Sequence, residues 1–156
     1  MGLGPEKRVE NALRKEIENC HGWVTKTFAS PNTNKGIPDL LAVLHGRFIA
    51  LEVKRLSGGK PTPVQLKELL KLNSAHAIGV VTNDVSLVTK LDGYLAADPD
   101  IDLKTLARDP SLAIDLEFLD SSAELKPTLA AKLWHNPAFP KTHSLAVVFD
   151  NQSSAK

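Results

Sequence analysis

Residues 35–55 read KGIPDLLAVLHGRFIALEVKR. Two apolar runs flank His45-Gly46, the pattern of a tight β-hairpin. Each run nevertheless carries a carboxylate, Asp39 in the first and Glu52 in the second, and Lys54 stands two residues beyond Glu52. With His45-Gly46 as the loop, Leu44 faces Arg47, and counting back along both strands brings Asp39 opposite Glu52. A four-residue loop keeps that register, whereas a three-residue bulged loop shifts it. Facing residues share a sheet face with Cβ atoms about 5 Å apart, and strand alternation adds Lys54 to the face of Glu52.

Opposed like charges destabilise a sheet, and burial raises the cost. A shared divalent cation resolves the conflict. Two carboxylates suit Mg²⁺, which takes few protein oxygens and keeps waters for phosphate chemistry. The alternative is a partly buried salt bridge, with Lys54 neutralising one carboxylate while the other stays in solvent.

Outward from the hairpin, residues 4–20 predict a helix, with Pro5 in the first turn and Val9, Leu13, Ile17 and Cys20 at helical spacing. WVTKTFA (23–29) predicts a strand, in which Trp23 is read as packing, and SPNTNKG (30–36) a loop. Thr62 and Pro63 open a helix to about Ser74, followed by a short buried strand over 76–83 that should lie parallel to 47–54. Residues 84–96 predict a helix capped by Asp84. Beyond residue 97 the pattern weakens: IDLKTLARD and SAELKPTLAAKLW fit short helices, HSLAVVFD fits a strand, and NQSSAK reads as a frayed end.

A third acid bears on the hairpin pair. On a helical wheel at 100° per residue, Glu6 falls in the middle of the apolar stripe of the first helix and Glu10 at its edge. Glu6 is therefore favoured over Glu10 as an acid facing the Asp39–Glu52 site, against the simpler reading that a first-turn glutamate offsets the helix dipole.

The composition sets limits. The 156 residues suit one domain, or about 100 residues with an appendage, and 42% apolar content can build a core. No apolar run is long enough to span a membrane, the N-terminus lacks an apolar signal core, and a single cysteine fits a reducing compartment. The expected setting is the cytoplasm of a bacterial or phage-infected cell. The net charge of +1 hides an asymmetry: residues 1–91 hold 13 Lys/Arg against 8 Asp/Glu, and residues 92–156 hold 6 against 10. The basic part would attract a polyanion, though ordinary solvated surfaces account for it equally well.

Pro38-Asp39 with Glu52-Val53-Lys54 matches the PD-(D/E)XK nuclease signature. Together with the glutamate in PEKRVENAL, Lys26 in a strand, and the stretches KGIPDL, FIALEVK and GKPTPVQ, residues 6–90 resemble the VRR-NUC (virus-type replication–repair nuclease) branch. In that branch a Gln follows the E-x-K motif at the start of the next helix. The remaining third of the chain has no recognised counterpart.

The resemblance implies an α/β restriction-endonuclease-like core, with a mixed central sheet flanked by helices (α-β-β-β-α-β) over residues 1–96, and a C-terminal extension over 97–156. It implies Mg²⁺- or Mn²⁺-dependent hydrolysis of DNA phosphodiester bonds. Asp39 and Glu52 would bind metal with the Val53 carbonyl, Lys54 would orient the attacking water, Glu6 would complete the acidic cluster, and Gln65 would sit beside it. Gln65 also fits a capping box with Thr62, and the two roles can coexist. Lys26, Lys35 and Lys60 are candidate phosphate contacts. A Holliday-junction or branched-DNA resolvase acting as a homodimer shares the same chemistry, and an inactive DNA-binding module is the non-enzymatic alternative.

Overall fold

The computed structural model describes residues 2–28, 35–56, 59–120, 125–134 and 142–150. The predicted loop over 30–36, apart from Lys35 and Gly36, and the predicted frayed end over 151–156 lie outside them.

The hairpin forms as its sequence requires. Strands β2 (Leu40–Leu44) and β3 (Arg47–Val53) are antiparallel, with Leu44 opposite Arg47 and Leu40 opposite Leu51. His45 and Gly46 both take positive φ, 52° and 79°, as a two-residue primed turn demands. Strand β1 (Trp23–Lys26) adds to the β2 edge, antiparallel, and is shorter than the predicted 23–29. As an edge strand it leaves Trp23 57% exposed rather than packed.

Helix α1 (Pro5–Asn19) crosses to this sheet, and α2 (Pro63–Ser74) connects β3 to the parallel strand β4 (Ile78–Thr82). Helix α3 spans Leu87–Ala97. It starts later than the sequence predicts, because Asp84 folds a turn ahead of it, Oδ1 accepting from the amide and hydroxyl of Ser86.

The C-terminal segment extends the same sheet. After α4 (Leu103–Ala107), strand β5 (Ile114–Leu119) runs parallel to β6 (Ser144–Phe149), and β6 pairs antiparallel with β4. Helix α5 (Pro127–Trp134) lies between them in sequence. The six strands are ordered β1-β2-β3-β4-β6-β5.

Two cores sandwich the sheet. Leu13 and Ile17 of α1, the buried side chains of α3 and α4, and alternate strand residues such as Leu51 and Val80 form one. Leu66, Leu69 and Leu70 of α2, Ala130 and Trp134 of α5, and the intervening strand residues Val81 and Leu145 form the other. Side chains one residue apart thus enter opposite cores, the period-2 consequence of the strand pleat.

Two polar side chains join these parts. Arg47, buried at the hairpin turn, donates from Nε to the His76 carbonyl and from Nη1 to the carbonyls of Pro99 and Ile101, at 2.7–2.8 Å. Between β4 and β6 the ladder pairs Val81 with Leu145 and Thr82 with Ser144, and the Asn83 amide adds a bond to the His143 carbonyl. Further along, the Asn73 carboxamide stands in for backbone pairing: Oδ1 accepts from the Gly79 amide at 2.7 Å, and Nδ2 donates to the carbonyls of Gly79 and Val147.

Candidate active site

The site lies where β2 begins and β3 ends. The β1–β2 pairing continues one step past its last strand pair, the Thr27 amide donating to the Asp39 carbonyl at 2.9 Å and the Thr27 hydroxyl to Pro38 at 2.7 Å. On the other side, the Val53 amide donates to Asp39 Oδ2 at 2.8 Å. Asp39 is therefore held through its backbone by Thr27 and through its side chain by Val53. Gly36 fixes the approach: its φ is +82°, and a Cβ there would meet Val64 at 2.6 Å. Only glycine combines that left-handed backbone with that proximity to α2.

Glu52 is 2% exposed. Its Oε2 accepts from Gln65 Nε2 at 2.9 Å and lies 3.4 Å from Lys54 Nζ. Its Oε1 is buried with no hydrogen-bond partner. Burial first, then the nearby charge of Asp39, push the Glu52 carboxyl up to about 8, against an opposing pull from Lys54. Two ionised carboxylates have no donor between them, so a proton or a cation is needed to hold the pair together. The register expected from the sequence is thus realised: Asp39, Glu52 and Lys54 converge.

Gln65 closes the capping box and also reaches Glu52. Its amide donates to Thr62 Oγ1, its Oε1 accepts from the Thr62 amide at 2.9 Å, and its Nε2 still reaches Glu52. The capping box orients the carboxamide that supports the carboxylate. Val53 contributes its amide to Asp39, and its carbonyl belongs to the last residue of β3.

The helical acids lie on the other side of Asp39. Gly4, Glu6, Lys7, Glu10, Asp39 and Arg55 all line an open cleft of about 490 Å³. Glu10 is the buried acid of the helix and Glu6 is half-buried. Glu10 accepts from Lys26 at 2.9 and 3.0 Å and from Lys7 at 2.9 Å. Burial pushes its carboxyl up, but these two ammonium groups together hold it below the ordinary value.

Lys26 is thereby committed to Glu10 rather than projecting freely, while Lys35 and Lys60 are exposed. Among the described residues, no three His, Cys, Asp or Glu side chains gather as a metal-holding group. Glu6 and Glu10 approach Asp39 from the α1 side, whereas Glu52 is reached from α2.

The donor set fits Mg²⁺ or Mn²⁺ nonetheless. Two adjacent carboxylates and a strand-end carbonyl, with water and substrate oxygens, satisfy an ion that seldom takes an all-protein cage. Glu52 Oε1, buried and without a hydrogen-bond partner, is an oxygen a cation could take. Sequence reading did not single out Arg55, and gave Glu10 second place. Leu13 and Ile17 straddle the direction of Glu6 on the helical wheel, so angular position gave no signal for Glu10, which is buried one turn further along the helix and held there by Lys26 and Lys7.

No protein-family model matches the chain. Over 73 residues it is 40% identical to the protein named "Putative nuclease p44" of Acyrthosiphon pisum secondary endosymbiont phage 1, a match spanning 46% of this chain and 75% of that protein. A solved structure described as "VRR_NUC domain" is similar at a TM-score of 0.50 and 31% identity, covering 59% of this chain and 98% of that domain.

Proposed function

Because this chain belongs to the VRR-NUC nuclease family, we propose that it hydrolyses DNA phosphodiester bonds with Mg²⁺ or Mn²⁺ held by Asp39, Glu52 and the Val53 carbonyl. The observation that carries this reading is the pairing of half-buried Asp39 with buried Glu52, in which Glu52 Oε1 lacks any donor and the carboxyl is driven to hold a proton. Such a pair is costly as a purely structural device.

When bound, a divalent ion would lower the pKa of its water and offset charge gathering on the phosphate and the leaving oxygen. The chain's residues supply the rest. Lys54, on the Glu52 face, donates to the attacking water and fixes its approach to phosphorus. Gln65 holds Glu52 in one rotamer through Oε2, leaving Oε1 free to ligate. The Val53 amide holds Asp39 in the same way. Arg55 and Lys7 on the cleft wall offer positive charge to the strand on either side of the scissile phosphate.

The test is incubation with plasmid, linear, single-stranded and four-way DNA in Mn²⁺, beside Glu52→Ala and Asp39→Asn. Metal-stimulated cleavage lost in both variants supports the assignment. Cleavage that survives in Glu52→Ala overturns it.

A further inference from the structure

Phe28 is 74% exposed, more than the other large apolar side chains that stand out among the described residues. It follows Thr27, whose amide and hydroxyl bind the backbone of Asp39 and Pro38, so it sits one residue from the strand step that carries the candidate metal ligand. Alternation along the β1 extension places Phe28 on the same side as Val24 and Lys26, the side of α1 and the cleft. The Lys26 ammonium lies 5.7 Å from the ring centroid and is itself tied to Glu10, which lines the cleft. One ring face thus has a cation held in place against it, while most of the ring is open to solvent.

Leu3 and Leu56, 52% and 40% exposed, adjoin the cleft residues Gly4 and Arg55 in the chain. Exposed apolar side chains thus neighbour the charged cleft-lining residues in the chain. Phosphates alone have no use for them, since sugar–phosphate contacts are made by charged and polar groups. An unpaired nucleobase does, because an exposed aromatic side chain offers it a stacking partner whatever its identity.

We propose that Phe28 stacks on an unpaired nucleobase next to the scissile phosphate, holding the strand so that this phosphate reaches Asp39. The proposal rests on the nuclease reading above and assigns a substrate-binding residue to it. Lys26 sets the ring's position, and the ring discriminates a strand with an unstacked base from a fully paired duplex.

The experiment measures binding of fluorescein-labelled oligonucleotides, single-stranded, with a short overhang, and blunt duplex, in Ca²⁺ at moderate salt. Wild type is compared with Phe28→Ala, Phe28→Leu and Phe28→Trp. Phe28→Ala and Phe28→Leu are expected to weaken single-strand and overhang binding about tenfold or more, leave blunt-duplex binding within twofold, and leave the melting temperature unchanged. Phe28→Trp restores binding.

In parallel, 5-iodouracil placed beside the cleavage position is expected to photocrosslink to the peptide containing Phe28. Unchanged single-strand binding in Phe28→Ala, or a crosslink elsewhere, overturns the stacking even where cleavage is intact. Loss of self-association on gel filtration without loss of DNA affinity reassigns the ring to a protein interface and likewise overturns it. Wild type that binds these DNAs but cleaves none overturns the nuclease reading alone, and wild type that binds none overturns both.

Discussion

Gln65 donates to Glu52 Oε2 at 2.9 Å with the same carboxamide whose oxygen closes the capping box of α2. One side chain therefore couples the start of a helix to a buried acid in the neighbouring strand. Gln65→Glu separates the two functions, because glutamate at N3 completes a capping box as well as glutamine does but sets a second carboxylate against Glu52. Near pH 5 this variant should unfold within about 0.5 kcal/mol of wild type. At pH 8 it should be weaker by about 1–3 kcal/mol. Urea titrations at both pH values decide it; equal loss at both would mean that capping alone matters.

Glu52 makes stability fall as pH rises. Its folded value, about 8, lies above its ordinary value of 4.5, so between these limits the folded state binds the proton that the unfolded state has released. Stability from this group is complete below about 4.5 and is lost as pH climbs through 8. Without divalent ions, Glu52→Gln should remove that slope and gain on the order of 3 kcal/mol relative to wild type between pH 5 and pH 9. Thermal melts across this range in a chelating buffer measure it.

The same proton competes with the cation. Mn²⁺ binding at pH 7 should release close to one proton per ion, and affinity should rise about tenfold per pH unit below 8 before levelling. Calorimetry in buffers of different ionisation enthalpy counts the protons. In Glu52→Gln both the proton release and the binding should vanish together.

Arg47 predicts a purely structural loss. Its guanidinium is buried and satisfies the carbonyls of His76, Pro99 and Ile101. Arg47→Met keeps the apolar stem and strands those three acceptors, so it should cost about 2–4 kcal/mol. Cleavage per folded molecule should be unchanged at a temperature where both proteins are folded.

How far the sequence carried this reading depends on which interactions are local. The hairpin was legible because a turn dipeptide and side-chain alternation fix register without outside help, and Thr62-Pro63 announced α2 for the same reason. The α1 acids were less so: Glu6 and Glu10 are only one turn apart, and their burial depends on how far the helix overhangs the sheet. Strand β5 escaped notice. Its Asp115 and Glu117 are poor strand formers, it is entered through Ala113 at φ 51°, and β6, its partner among the described residues, lies about thirty residues on. Phe28 and the Lys26–Glu10 bridge likewise arise from an approach between a strand end and a helix that no short motif encodes.

The Asn73 amide has a thermodynamic corollary. The seam between β4 and β6 is short, held by two strand pairs, the Asn83 amide on the His143 carbonyl, and side-chain bonds from Asn73, Asn83 and Ser144, and it divides the sheet into units of unequal resilience. Amides of β5 and β6 should accordingly exchange with deuterium through partial opening events, while β2 and β3, which carry the paired acids, hold out until the whole molecule unfolds.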